Sequence, residues 1–98
     1  KLTNVTNSNE PTEYTLSQNY PNPFNPSTKI SFSLPTSGYV KLVVYDLLGK
    51  EVKTLLSEER NAGSYDVNFD AAGLSSGTYV YILQVNNFVD SKKMFLIK

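Results

Sequence analysis

The reactive side chains this sequence offers are carboxylates, hydroxyls and amines. Asp46, Glu51, Glu58, Glu59, Asp66, Asp70 and Asp90 are scattered over expected turns and outward strand positions, and no two of them fall in a motif for paired acid and base work. They read as turn and solubility residues. A calcium site built on Asp70 or Asp90 needs several convergent oxygens, and no loop has the alternating Asp and Asn spacing of a calcium loop. Ser75 and Ser76 lie in an expected crossover turn with no histidine in the chain to activate them. The 98 residues contain no His, Cys or Trp, so the commonest general base, the soft-metal ligands and the strongest nucleophile are all missing. The expectation is a protein that is not an enzyme and carries no metal and no cofactor.

Charge narrows the partners. Nine Lys and Arg balance nine Asp and Glu, with 18% of positions charged, so there is no broad positive field for a phosphate backbone or an anionic membrane. No nucleic-acid partner is expected. No apolar run approaches the roughly 20 residues that cross a bilayer, and Lys1 to Thr6 lacks the apolar stretch of a signal peptide. The chain is therefore either cytosolic or one piece of a longer precursor. Zero cysteines fit a reducing compartment and a secreted domain equally. With 40% hydrophobic residues, the length suits a single domain with one core.

Aromatic and proline residues leave binding readings open. Among seven Tyr, Tyr39 and Tyr45 are expected to face outward on one strand. They either stack on a sugar, as in a carbohydrate-binding module, or pair with aromatic neighbours across the sheet, which the absence of Trp favours. A passive spacer domain is a further alternative. Leu47 and Leu48, unusual in a turn, read as a cap on the end of the fold ahead of a partner contact. Asn4-Val5-Thr6 matches a glycosylation triplet, a pattern common by chance. The most unusual segment is Tyr20-Pro21-Asn22-Pro23-Phe24-Asn25-Pro26. Its three prolines fix φ, remove donors and extend the residues before them, giving an expected stiff, polyproline-like stretch. It is either a pre-organised recognition element or a rigid connector along a sheet edge.

Strands must position these residues. Residues 1 to 13 are polar, rich in Asn and Thr, and read as a flexible linker; the domain runs over 14–98. In TKISFSLP, Ile30, Phe32 and Leu34 alternate with Lys29, Ser31 and Ser33, the period of a strand with one buried face. YVKLVVYD turns Val40, Leu42 and Val44 inward and Tyr39, Lys41, Val43 and Tyr45 outward. Asp46-Leu47-Leu48-Gly49 is a hairpin connection, Asp46 accepting from a backbone N–H two residues on and Gly49 taking φ > 0. KEVKTLL is the next strand and SEERNAG a polar loop. SYDVNFD then turns Tyr65, Val67 and Phe69 inward. TYVYILQV, apolar on both faces, belongs mid-sheet, and Asn86-Asn87 make a tight turn before the closing KKMFLIK. Counting YTLSQ, seven runs predict an all-β fold, a seven-stranded antiparallel immunoglobulin-like β-sandwich. Tyr79, opening the central strand, is either a tyrosine corner, its hydroxyl tied to upstream backbone, or a plain core or surface tyrosine.

Four segments together resemble the type A C-terminal sorting domain (Por secretion system sorting domain) of proteins exported by the type IX secretion system of Bacteroidetes-like bacteria. NYPNPFNPSTKISFSLP resembles its opening motif, GYVKLVVYDLLGKEVKTL its middle one, AGSYDVNFDAAGLSSGTYVYIL its third and KKMFLIK its closing strand, so the likeness runs from about Leu16 to Lys98. The resemblance implies a non-catalytic address label on an upstream cargo, which crosses the periplasm and ends at the cell surface or outside it. It implies an outer-membrane translocon, a shuttle protein and a sortase-like peptidase as partners. The peptidase cut would fall in or near residues 1 to 15, leaving the cargo free or joined to lipopolysaccharide. The sorting-signal residues carried over are Tyr20, Pro21, Asn22, Pro23, Phe24, Asn25, Pro26, Asp46, Gly49, Lys50, Gly77 and Tyr79. The closing residues that the family links to recognition fall on Lys92, Lys93, Phe95, Leu96, Ile97 and Lys98. Physically, such a terminal strand would add to, or be read from, an exposed sheet edge.

Overall fold

Alternation of apolar and polar side chains becomes seven strands in the computed structural model, which describes residues 11–98. They are Thr15–Leu16 (β1), Ser27–Leu34 (β2), Gly38–Asp46 (β3), Glu51–Arg60 (β4), Gly63–Asp70 (β5), Gly77–Val85 (β6) and Phe88–Leu96 (β7). Most of the expected linker, the Lys1 to Thr6 stretch and the Asn4-Val5-Thr6 triplet lie outside the described residues. The strands form two antiparallel sheets, ordered β1-β2-β5 and β4-β3-β6-β7. This is the expected sandwich, with the fourth strand on the four-stranded sheet. Constant-type immunoglobulin domains instead place the fourth strand beside the fifth. Here the short Asp46–Gly49 turn folds β4 straight back on β3.

The core is the sum of the inward faces. Ile30, Phe32, Leu34 and Phe69 from one sheet meet Val40, Leu42, Val44, Tyr81, Leu83, Met94 and Leu96 from the other, all of them 2% exposed or less. Phe32 and Tyr65 stack across β2 and β5 with ring centroids 5.4 Å apart. The run TYVYILQV is flanked by β3 and β7, as an apolar strand on both faces requires. Both expected turns form. Asp46 Oδ1 accepts from Leu48 N and Lys50 N, each at 2.9 Å, and Gly49 takes φ +87°, where a Cβ would be strained. Asn86 sits at φ 54°, the left-handed region that Asn tolerates.

Several expectations are corrected. SEERNAG is not a loop: β4 continues through Arg60, paired with β3 as far as Gly38, because an edge strand with one wet face accommodates charged side chains. Ser33 is buried, since β1 pairs beside it with Thr15 directly opposite, and Thr15 Oγ1 bonds its hydroxyl at 2.5 Å. Val43 keeps its outer-face register but is buried, being in mid-sheet between Thr54 and Ile82. Leu47 and Leu48 cap nothing, at 65% and 94% exposed, because the turn projects past the strand ends. The proline segment is not polyproline-like. It bends at 21–23 and again at 25–26, because Tyr20 bridges to Lys29 while Phe24 bridges to Leu96 on the other sheet.

Candidate functional site

The bent segment is held from both sides. Tyr20 and Lys29 exchange two backbone hydrogen bonds, at 2.9 and 3.0 Å. Buried Asn19 donates to Pro21 O at 3.1 Å and to Thr28 Oγ1 at 3.0 Å, and the Thr28 hydroxyl donates to Pro21 O at 2.8 Å. These bonds satisfy polar groups that burial would otherwise penalise. Phe24 is 2% exposed and its ring lies against Phe69, while Pro26 O accepts from Ala71 N at 2.8 Å. Tyr20, Pro21, Pro23 and Asn25 face solvent, and Asn22 is half-buried.

The register brings distant motifs to one end of the sandwich. Asp46 lies opposite Tyr79, Tyr79 opposite Met94, Gly77 opposite Leu96, and Leu96 beside Phe24. The hairpin residues Asp46, Gly49 and Lys50, the β6 start, the end of β7 and the proline segment thus share a single end. Tyr79 donates its hydroxyl to Ser75 O at 2.7 Å, four residues upstream, which is the tyrosine corner. On the outer face there, Tyr45, Asp46, Leu47, Gly49, Val80 and Ile82 line a shallow depression of about 340 Å³.

The terminal strand divides its side chains between two roles. Met94 and Leu96 are core, at 0% and 1% exposed, whereas Phe95 and Ile97 are exposed at 43% and 56%. Lys93 and Lys98 are exposed and Lys92 half-buried. Lys98 donates from its backbone N to Ser76 Oγ at 2.9 Å and from Nζ to Ala72 O, tying the tail to the crossover loop. Leu96 is therefore a packing residue, and the exposed apolar side chains of the tail are its neighbours on the opposite face.

The polar groups set aside for chemistry have structural partners. Asp70 Oδ1 accepts from Ala72 N at 2.9 Å, as turn residues do, and Asp90 Oδ1, within β7, accepts from Ser91 N at 2.8 Å. Ser31 Oγ donates to Asp66 Oδ1 at 2.6 Å and Lys29 stands 3.7 Å away, which together hold the Asp66 carboxyl below its ordinary range on a solvent-facing sheet. Among the described residues there is no group of three His, Cys, Asp or Glu side chains able to hold a metal, and no helix long and apolar enough to cross a membrane. The Tyr39 hydroxyl bonds Ser57 Oγ across the strands at 2.7 Å, a polar contact rather than the expected aromatic pairing.

Residues 18–98 match the secretion system C-terminal sorting domain family. The chain belongs to this family. No curated protein matches it significantly. As a type IX C-terminal sorting signal, the domain acts for an upstream cargo and interacts with the type IX secretion system, and its family is a non-catalytic one whose cargo is exported to the cell surface or the extracellular space. The match begins at Gln18, two residues after the point at which the sequence motifs begin to resemble the family.

Residues outside the carried-over sorting-signal set also build this part of the sorting domain. Gln18 Nε2 bonds Lys93 O at 2.6 Å, and Tyr81 donates to Ser17 O at 2.6 Å. Asn19 and Thr28 form the buried polar pair beneath the prolines. Asn19 and Gln18 carry no periodic signal, because they lie outside any strand and gain their partners only when the sheets come together.

Proposed function

We propose that residues 14–98 form the sorting unit, with the chain ahead of Tyr14 as linker, and that the outer-membrane translocon reads the sandwich end where the proline segment, the Asp46 hairpin and the terminal strand meet. The observation that supports this most is the exposure of Phe95 in β7 and of Ile97 just past its end, while Met94 and Leu96 are locked in the core. Such a strand presents its apolar side chains at fixed spacing, at little further entropic cost on binding. Lys93 and Lys98 flank them with positive charge. The cargo crosses the periplasm ahead of this step, a shuttle protein accepts the domain, and a sortase-like peptidase cuts in or near residues 1 to 15, releasing the cargo or passing it to lipopolysaccharide.

The test is export of a periplasmic reporter fused to residues 14–98 in a host that has the type IX system. Deleting Phe95 to Lys98 would remove buried Leu96 and confuse folding with recognition. Phe95→Asp/Ile97→Asp spares the core but alters two half-covered side chains, so stability should fall by about 2 to 3 kcal/mol, and a melting curve of the purified variant checks that it stays folded. Export should be lost. A fusion with both aspartates that reaches the surface as well as the unaltered one would show that the tail is not what the translocon reads.

A further inference from the structure

The two outer faces of the sandwich differ in what they show to water. That of the three-stranded sheet presents Lys29, Ser31, Asp66 and Asn68, and its opposite charges are matched within the face, Lys29 Nζ lying 3.7 Å from Asp66 Oδ2. That of the four-stranded sheet carries a centre of half-buried Tyr45, Val80 and Ile82 around buried Val43. An apolar centre with a polar rim is the anatomy of a protein interface.

Strand register orders the charges around that centre. Glu51 lies opposite Tyr45, Tyr45 opposite Val80, and Val80 opposite Lys93, so one row crosses the whole sheet from a carboxylate through two apolar side chains to an ammonium. Both charged ends are exposed, and the Thr54 hydroxyl, donating to Glu51 Oε2 at 2.6 Å, keeps the carboxylate on this face. Three strand spacings of roughly 4.8 Å put the two charges about 14 Å apart, too far to meet within one chain. The row is self-complementary. Turned about an axis that runs along the strands between β3 and β6, it sets Glu51 over Lys93 of a second copy, Lys93 over Glu51, and Tyr45 over Val80. The next row has the same order with neutral ends, from Thr54 through Val43 and Ile82 to Ser91. Shape agrees with charge: Tyr45 stands on one side of the axis, and the shorter Val80 and Ile82, which line the depression of about 340 Å³, stand on the other. Each Tyr45 ring is thereby set over the depression of the other copy.

We propose that the outer face of the four-stranded sheet is a dimer interface, packed on the same face of a second copy of the chain as two aligned sheets about 10 Å apart. The occupant is a second copy because the order of charge along the row matches itself under a two-fold rotation. A face of four strands covers roughly 20 by 25 Å, so two copies bury on the order of 1,000 Å² in total, the lower limit of a specific interface. The dimer is accordingly weak, with a Kd on the order of 100 μM. This inference goes beyond the sorting reading and does not depend on it.

The experiment is sedimentation equilibrium of the 98-residue chain at concentrations up to about 1 mM, where the unaltered chain should dimerise. Glu51→Lys and Lys93→Glu each bring like charges together twice across the axis, and each alone should weaken the dimer about 10-fold or more. An equimolar mixture of the two variants should recover the unaltered affinity, because every facing pair then joins opposite charges. Glu13→Lys and Lys53→Glu make the same changes of net charge away from this face, Lys53 lying opposite inward Val44. Singly and mixed, these controls should dimerise as the unaltered chain does. A chain that stays monomeric at the highest concentration, a dimer that neither Glu51→Lys nor Lys93→Glu weakens, or a mixture no tighter than its components overturns the interface while leaving the sorting reading, which export tests, intact. Melting curves check that each variant is folded; if one of the pair is not, the other decides alone against the unaltered chain.

Discussion

The ring of Phe24 lies 6.1 Å from that of Phe69 at a tilt of 53°, joining a segment without strand periodicity to the inner face of β5. Both rings are almost wholly buried, at 2% and 1% exposed. The contact closes the end of the sandwich at which the terminal strand finishes.

Phe69→Ala and Phe24→Ala should each destabilise the fold by about 3 to 5 kcal/mol, through lost apolar burial and the cavity left behind. At roughly 4 to 8 °C per kcal/mol, thermal melting would record drops of well over 10 °C. The double variant should lose less than the sum, because the two rings share one contact. A melting shift within error of zero for Phe69→Ala would contradict its place in the core.

Tyr79→Phe removes the hydroxyl bond to Ser75 O and leaves a partly buried carbonyl without that donor. The expected loss is about 1 to 2 kcal/mol, read as a lower urea midpoint with an unchanged slope. An unchanged midpoint would mean that the corner is ornamental.

Tyr81 sets an alkaline limit. Burial pushes its hydroxyl up to about 12 from an ordinary 10, and the group donates to Ser17 O at 2.6 Å. Below pH 10 the phenol is protonated in both folded and unfolded chains, so its contribution is fully present. Between pH 10 and 12 only the unfolded chain loses the proton, and stability falls by about 2 to 3 kcal/mol as pH rises through that window. Urea midpoints measured from pH 8 to 12 should show this decline, and Tyr81→Phe should lessen its slope. A slope identical in the two proteins would rule Tyr81 out as the cause.

Gly49→Ala tests the hairpin without touching its packing. A Cβ there meets nothing within 4 Å, so the penalty is the φ of +87° alone, about 1 kcal/mol. Asp46→Ala strips an acceptor from two backbone N–H groups and should cost about as much or slightly more. Chemical denaturation of both variants checks the pair; a Gly49→Ala loss above about 3 kcal/mol would show that the turn has a contact beyond its backbone.

What the sequence determined by itself was local. Ile30, Phe32 and Leu34 announce an inward face because side chains alternate across any strand, and Asp46, Gly49 and Asn86 announce turns because their own backbone preferences require them. Tyr79 was legible as a possible corner for the same reason: its partner lies four residues away. Four motifs in order identified the family on sequence alone. The charged run ending β4 gave no such signal, since edge position permits polar residues that periodicity reads as loop. Periodicity places buried Val43 on the same face of the same strand as outward Lys41, so alternation alone does not separate them. The union of the proline segment with the tail was the decision of tertiary structure, because Asn22 and Phe95 are 73 positions apart and meet only after both sheets have closed over Phe24. Periodicity states which face of a strand is buried; which strand lies at the edge, and what covers it, follows from packing between segments remote in sequence.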